Sequence, residues 1–127
     1  MSDDPSSRPS GRPDAAAAGQ ATTNRFEIET TDGVSLEAEA AAPGDGPPPS
    51  GAVVACHPHP LYGGSMHANV VDALFRTLPG LGAAVLRFNF RGAGSSGGIH
   101  DEGRAERLDV EAAVAAAKER WPGSPVL

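Results

Sequence analysis

Ala52-Val53-Val54-Ala55-Cys56-His57-Pro58-His59-Pro60-Leu61-Tyr62-Gly63-Gly64-Ser65 decides how this chain is read. A short apolar, partly β-branched run over Gly51–Cys56 enters a loop stiffened by two prolines and ended by two glycines. A helical pattern begins near Met66, with Val70, Val71, Leu74, Phe75 and Leu78 at helical spacing. Ser65 is the expected N-cap, and Pro79-Gly80 the expected stop. A continuous apolar strand suits a sheet buried on both faces. A strand–loop–helix junction brings backbone N–H groups to the carboxyl end of such a sheet, where α/β proteins keep their chemistry.

Upstream, Phe26 and Ile28 alternate with Arg25, Glu27 and Glu29. After Asp32-Gly33, Val34, Leu36, Ala38 and Ala40 alternate with Ser35, Glu37 and Glu39. Two alternating runs joined by Asp-Gly predict a β-hairpin. Downstream, Ala83–Phe90 reads as a strand and Arg91–Gly98 as a glycine-serine loop. A second helix is expected from about Asp101, with Val110, Val114, Ala117 and Trp121 on its apolar stripe. Val126-Leu127 resembles the opening of another strand. The order β-β-β-α-β-α-(β) predicts an α/β fold: an antiparallel hairpin, then parallel strands alternating with helices on both faces.

Composition bounds the function. Residues 1–23 have no large aliphatic residue after Met1 and are expected to be a disordered tail, leaving residues 24–127 as the domain. The net charge is −6. Arg104, Arg107, Lys118 and Arg120 are interleaved with acids, so nucleic acid is not an expected partner. No run approaches the roughly 18 apolar residues of a membrane helix. Ala15–Ala18 is too short and too weakly apolar for a secretory signal. The lone Cys56 excludes an internal disulfide and is expected to be small and buried; a cytoplasmic location is the default expectation.

Three motifs compete. Gly92-Ala93-Gly94-Ser95-Ser96-Gly97 spells G-x-G-x-x-G, but no helix opens directly from it, and Asp109 lies inside the following helix. Gly94-Ser95-Ser96-Gly97-Gly98 spells G-x-S-x-G. An elbow needs an acid and then a histidine afterwards, yet the last histidine is His100, with no acid between it and Ser96. His57-x-His59 has the spacing of paired metal ligands, with Cys56, His67 and His100 as further candidates. The prolines fix that loop, and no second acid-bearing histidine motif follows. No cofactor or metal is expected.

His57-Pro58-His59-Pro60-Leu61-Tyr62-Gly63-Gly64-Ser65-Met66-His67, taken with Arg87-Phe88-Asn89-Phe90-Arg91-Gly92-Ala93-Gly94-Ser95-Ser96-Gly97-Gly98 and His100-Asp101-Glu102-Gly103, resembles a bacterial α/β-hydrolase-fold family. The resemblance implies the N-terminal part of that fold, with Cys56 ending its third strand. It implies an oxyanion loop with the His59 backbone N–H as donor and Leu61 as the alternative; Pro60 has no N–H. His57, Gly63, Gly64 and Ser65 would support that loop. Arg91, Gly92, Gly94 and Ser96 would shape the site without doing chemistry. The family places its nucleophile elbow after the fifth strand, which would begin here at Val126. The expected function is serine-type hydrolysis of carboxylic esters or related acyl substrates in a longer form. The alternatives are a non-catalytic fragment or partner-dependent half, and a metal- or nucleotide-binding module.

Overall fold

The computed structural model describes residues 21–44, 46–57 and 64–127. Strands β1 (Thr22–Glu29) and β2 (Ser35–Ala42) form the expected hairpin, with Ile28 opposite Leu36 and Phe26 opposite Ala38. The chain reverses through a tight turn in which Thr30 N–H donates to Val34 O and Gly33 N–H to Thr30 O. Gly33 takes φ +86°, a conformation glycine adopts at no steric cost.

Strand β3 is Ala52–Ala55 and β4 is Ala84–Phe88. The sheet order is β1-β2-β4-β3. β4 runs antiparallel to β2 and parallel to β3. All five residues of β4 are buried, as a strand with neighbours on both edges and layers on both faces requires. Beyond β3, Val126 bridges Ala52 in parallel. Ala52 N–H donates to Pro125 O, Leu127 N–H to Ala52 O and Val54 N–H to Leu127 O, at 2.7–2.8 Å. Val126-Leu127 thus pairs as strand against β3's outer edge.

Helix α1 (Asn69–Thr77) and helix α2 (Glu106–Arg120) lie on opposite faces. Ile28, Leu36, Ala38, Leu86 and Phe88 pack with Ala113 and Ala117 of α2. Ala41, Ala55 and Val85 pack with Val71 of α1, flanked by Leu74, Phe75 and Leu78. Successive strand residues point to opposite faces, so Val85 serves one layer while Leu86 and Phe88 serve the other.

Three local expectations change. α1 opens at Asn69 with Ala68 as N-cap, and Ser65 does not cap it. Ser65 instead heads the turn before the helix: its Oγ accepts His67 N–H and its carbonyl accepts Ala68 N–H. α1 then tightens into a 3-10 turn, Leu78–Leu81, that ends at left-handed Gly82. α2 starts at Glu106, several residues later than expected, because Asp101–Ala105 are held as a turn by side chains. Its most buried face is Glu106, Asp109, Ala113 and Ala117, rotated about one residue from the apolar stripe. Paired carboxylates occupy positions that a polarity pattern assigns to solvent.

Candidate functional site: a loop anchored to the end of β4

The loop after β3 begins with His57 and ends near Met66. Of the predicted site residues, His59, Leu61 and Gly63 lie outside the described residues, as do Pro58, Pro60 and Tyr62. Both margins of the loop are described, and both are tied to consecutive residues after β4. At one margin, His57 Nε2 accepts Phe90 N–H at 3.0 Å. A ring nitrogen that accepts carries no proton, so the neutral ring's proton sits on Nδ1. The imidazole is buried at 7% exposure and meets the Phe90 ring edge-on at 5.0 Å. At the other margin, Met66 N–H donates to Asn89 Oδ1 at 2.8 Å, with Met66 fully buried. Gly64 is buried and Ser65 half-buried between these ties.

Behind Asn89 stands Glu37. Asn89 Nδ2 donates to Glu37 Oε1 at 2.7 Å, and Ser95 N–H donates to the same oxygen at 2.9 Å. Glu37 Oε2 pairs with Arg25. The Ser95 amide, reinforced by Asn89 and Arg25, holds the Glu37 carboxyl below its ordinary pKa against the opposing effect of burial. Glu37 is one of the polar residues of the alternating β2 run. It is buried because the 91–98 loop folds over that face of β2, supplying Ser95 N–H and the Ser96 hydroxyl.

That loop is a set of turns rather than a nucleophile elbow. Ser96 Oγ accepts Glu37 N–H at 2.8 Å and donates to Asn89 O at 2.6 Å, so its hydroxyl is spent on two backbones. Gly92 stands at φ +81°, where a Cβ would strike His100 N. Arg91 is drawn inward. Its guanidinium reaches Asp32 at 2.8 and 3.0 Å and Asp109 at 3.0 and 2.8 Å. Asp109 is inside α2, as expected, and wholly buried against Arg91.

Further out, His100 Nδ1 lies 2.8 Å from Glu106 Oε2. The Glu106 carboxylate also accepts Asp101 and Gly103 N–H. Among the described residues, no three or more His, Cys, Asp or Glu side chains converge as a metal-holding group. Cys56 is exposed, a correction to the expected burial: it sits just past β3, in a cleft of about 500 Å³ with His57, Ala68, Asn69 and Leu74. No helix among the described residues is long and apolar enough to cross a membrane.

The fold aligns with solved structures. An α/β serine hydrolase homologue from Coxiella burnetii is 36% identical and aligns with a TM-score of 0.72, covering 81% of this chain and 49% of its own. This is the N-terminal portion of an α/β-hydrolase fold. A serine hydrolase without lid from Xanthomonas campestris is 30% identical over 82% of this chain and 48% of its own, TM-score 0.72. An esterase from Pyrococcus furiosus is 27% identical over 91% and 42%, TM-score 0.68. An uncharacterized protein from Rickettsia prowazekii is 48% identical over 58 residues, 46% of this chain and 24% of its own length. No family model matches the chain. The chain spans about half the length of the first two solved structures and a quarter of the Rickettsia protein.

Proposed function

We propose that this chain is the oxyanion-loop half of a serine-type α/β hydrolase for carboxylic esters or related acyl substrates. The resemblance of its His57–His67 and Arg87–Gly98 segments to motifs of a bacterial family of this fold supports the reading. The observation that carries the reading is the two-ended anchoring of the loop after β3, through His57 Nε2 to Phe90 N–H and Met66 N–H to Asn89 Oδ1. An oxyanion donor works when it is fixed before the reaction, and losing one costs about 3 kcal/mol of transition-state stabilisation. In this reading the donor is the His59 backbone N–H, with Leu61 as the alternative. His57, Gly63, Gly64 and Ser65 support the loop. Arg91, Gly92, Gly94 and Ser96 shape the site. Pairing of Val126 with Ala52 supports a further parallel strand beside β3, with the nucleophile elbow after it. That the Coxiella protein is a serine hydrolase homologue, the Xanthomonas protein a serine hydrolase and the Pyrococcus protein an esterase supports the reaction class.

The test starts with the reading frame after Leu127. A G-x-S-x-G within about ten residues is expected, and a longer protein carrying it should hydrolyse p-nitrophenyl acetate, with activity lost when that serine becomes alanine. The 127-residue chain alone should show no turnover above background. Turnover by the short chain that vanishes in Ser96→Ala would overturn the reading, as would a stop codon directly after Leu127.

A further inference from the structure

We propose that Asn89 is a positioning residue of the oxyanion loop, and that Glu37 acts through it by fixing which way the Asn89 amide faces. The catalytic half of this statement rests on the hydrolase reading; the structural half stands without it.

An asparagine amide can present either its oxygen or its nitrogen to a neighbour. Met66 N–H needs the oxygen. A carboxylate can only accept, so Glu37 Oε1 needs the nitrogen. With Glu37 ionised, one orientation satisfies both: Nδ2 to Glu37 and Oδ1 to Met66. The reverse orientation would set Oδ1 against a carboxylate oxygen and Nδ2 against an N–H, leaving three buried groups unpaired. Glu37 is kept ionised by Ser95 N–H and kept in place by Arg25.

The backbones of the pair are locked as well. Asn89 N–H donates to Glu37 O at 2.9 Å, and Ser96 Oγ spans Glu37 N–H and Asn89 O. Gly94 lets the covering loop close over the amide. A Cβ there would overlap Asn89 Nδ2 and crowd Glu37 Oε1. Three stretches distant in sequence, at residues 37, 66 and 89–96, therefore converge on the orientation of one side chain. That side chain holds the outgoing margin of the loop, where His57 already holds the incoming one. A small displacement of a preorganised donor costs rate rather than affinity, because the donor matters most in the transition state.

Two measurements test this. Hydrogen exchange at the Met66 amide in the 127-residue chain reads the hydrogen bond directly. Asn89→Ala and Glu37→Ala should speed it about tenfold, whereas Glu37→Gln, which retains Oε1 as an acceptor, should stay within about twofold of the native chain. Asn89→Asp guards against an alanine variant that unfolds. It is isosteric, keeps an acceptor for Met66 and sets two carboxylates against each other, so it too should lose protection at neutral pH. In the longer protein, Asn89→Asp should lower kcat about tenfold with KM nearly unchanged, and Glu37→Gln should restore most of it relative to Glu37→Ala. Protection at Met66 that survives in Asn89→Asp overturns the proposal. So does Glu37→Gln behaving like Glu37→Ala, or a lost hydrogen bond with unchanged kcat. An inactive longer protein would sink the hydrolase reading instead, while the exchange measurement would still decide the role of Asn89.

Discussion

Asp109 holds Arg91 at three points: Oδ2 accepts the Arg91 backbone N–H at 2.9 Å, and Oδ1 accepts Nε and Nη2 at 3.0 and 2.8 Å. The carboxylate is wholly buried and the guanidinium nearly so. This pair fastens α2 to the turn after β4, and Asp32 extends it to the hairpin turn. Removing Asp109 leaves the buried guanidinium with Asp32 as its remaining carboxylate partner, so the loss should approach but not reach the roughly 3–5 kcal/mol of a fully broken buried pair. Asp109→Ala should therefore shift the urea midpoint strongly downward, with Asp109→Asn falling between it and the native chain. An unchanged midpoint in Asp109→Ala would show that the pair contributes nothing.

Acid should weaken the fold through specific carboxylates. Arg91, and then Thr30, hold the Asp32 carboxyl well below the usual carboxylate range. The Ser95 amide leads the donors that lower Glu37. Burial opposes ionisation of Glu106, but backbone donors led by Asp101, with the His100 ring, outweigh it and leave its carboxyl lowered as well. A depressed folded pKa adds stability that is complete above the unfolded value, about 4, and disappears as pH falls through the folded value. Through these carboxylates, stability should decline below about pH 4. Asp32→Asn should flatten that decline; a variant with the native acid profile would rule Asp32 out as a contributor.

Ser96→Ala separates the two meanings of the G-x-S-x-G match. The hydroxyl bridges two backbones, so its removal leaves Glu37 N–H without its acceptor, a cost of about 1–3 kcal/mol. Thermal unfolding should register that loss. A fluorophosphonate probe should label neither the native 127-residue chain nor the variant. Labelling at Ser96 would mean that a nucleophile had been mistaken for a structural hydroxyl.

His57→Leu keeps apolar volume and removes the acceptor for Phe90 N–H. It should cost about 1–3 kcal/mol, and His57→Gln, which can still accept, should recover part. Equal melting temperatures for Leu and native chains would show that the imidazole does not brace the loop.

Much of the framework was legible because it is periodic. Phe26, Ile28, Leu36 and Ala38 alternate as a hairpin should, and they pair in that register. The continuous apolar run at 52–55 became a strand paired on both sides. Periodicity misled where a buried face is built from charge. Glu37 and Asp109 are polar by type, yet each is buried because its partner arrives from another segment: Ser95 and Arg91 respectively. No local pattern contains that information. In the sequence Asn89 is one polar residue of a motif; its role emerges once the fold brings Met66 and Glu37 to either end of its amide. The Ser65 expectation failed on geometry. A serine followed by two turn residues suits a cap, but the turn used its hydroxyl before α1 began.

The order β1-β2-β4-β3 also bears on how the chain folds as it is made. β4 is inserted between strands synthesised before it. On the ribosome, β2 and β3 emerge with their mutual neighbour still untranslated, and α1 must appear before β4 can. At roughly 5–20 residues per second, the edges that β4 will cover stay open for a few seconds. Only the hairpin has its partner at once, through Ile28 and Leu36. Slowing translation between Ala55 and Ala84 would lengthen that exposure.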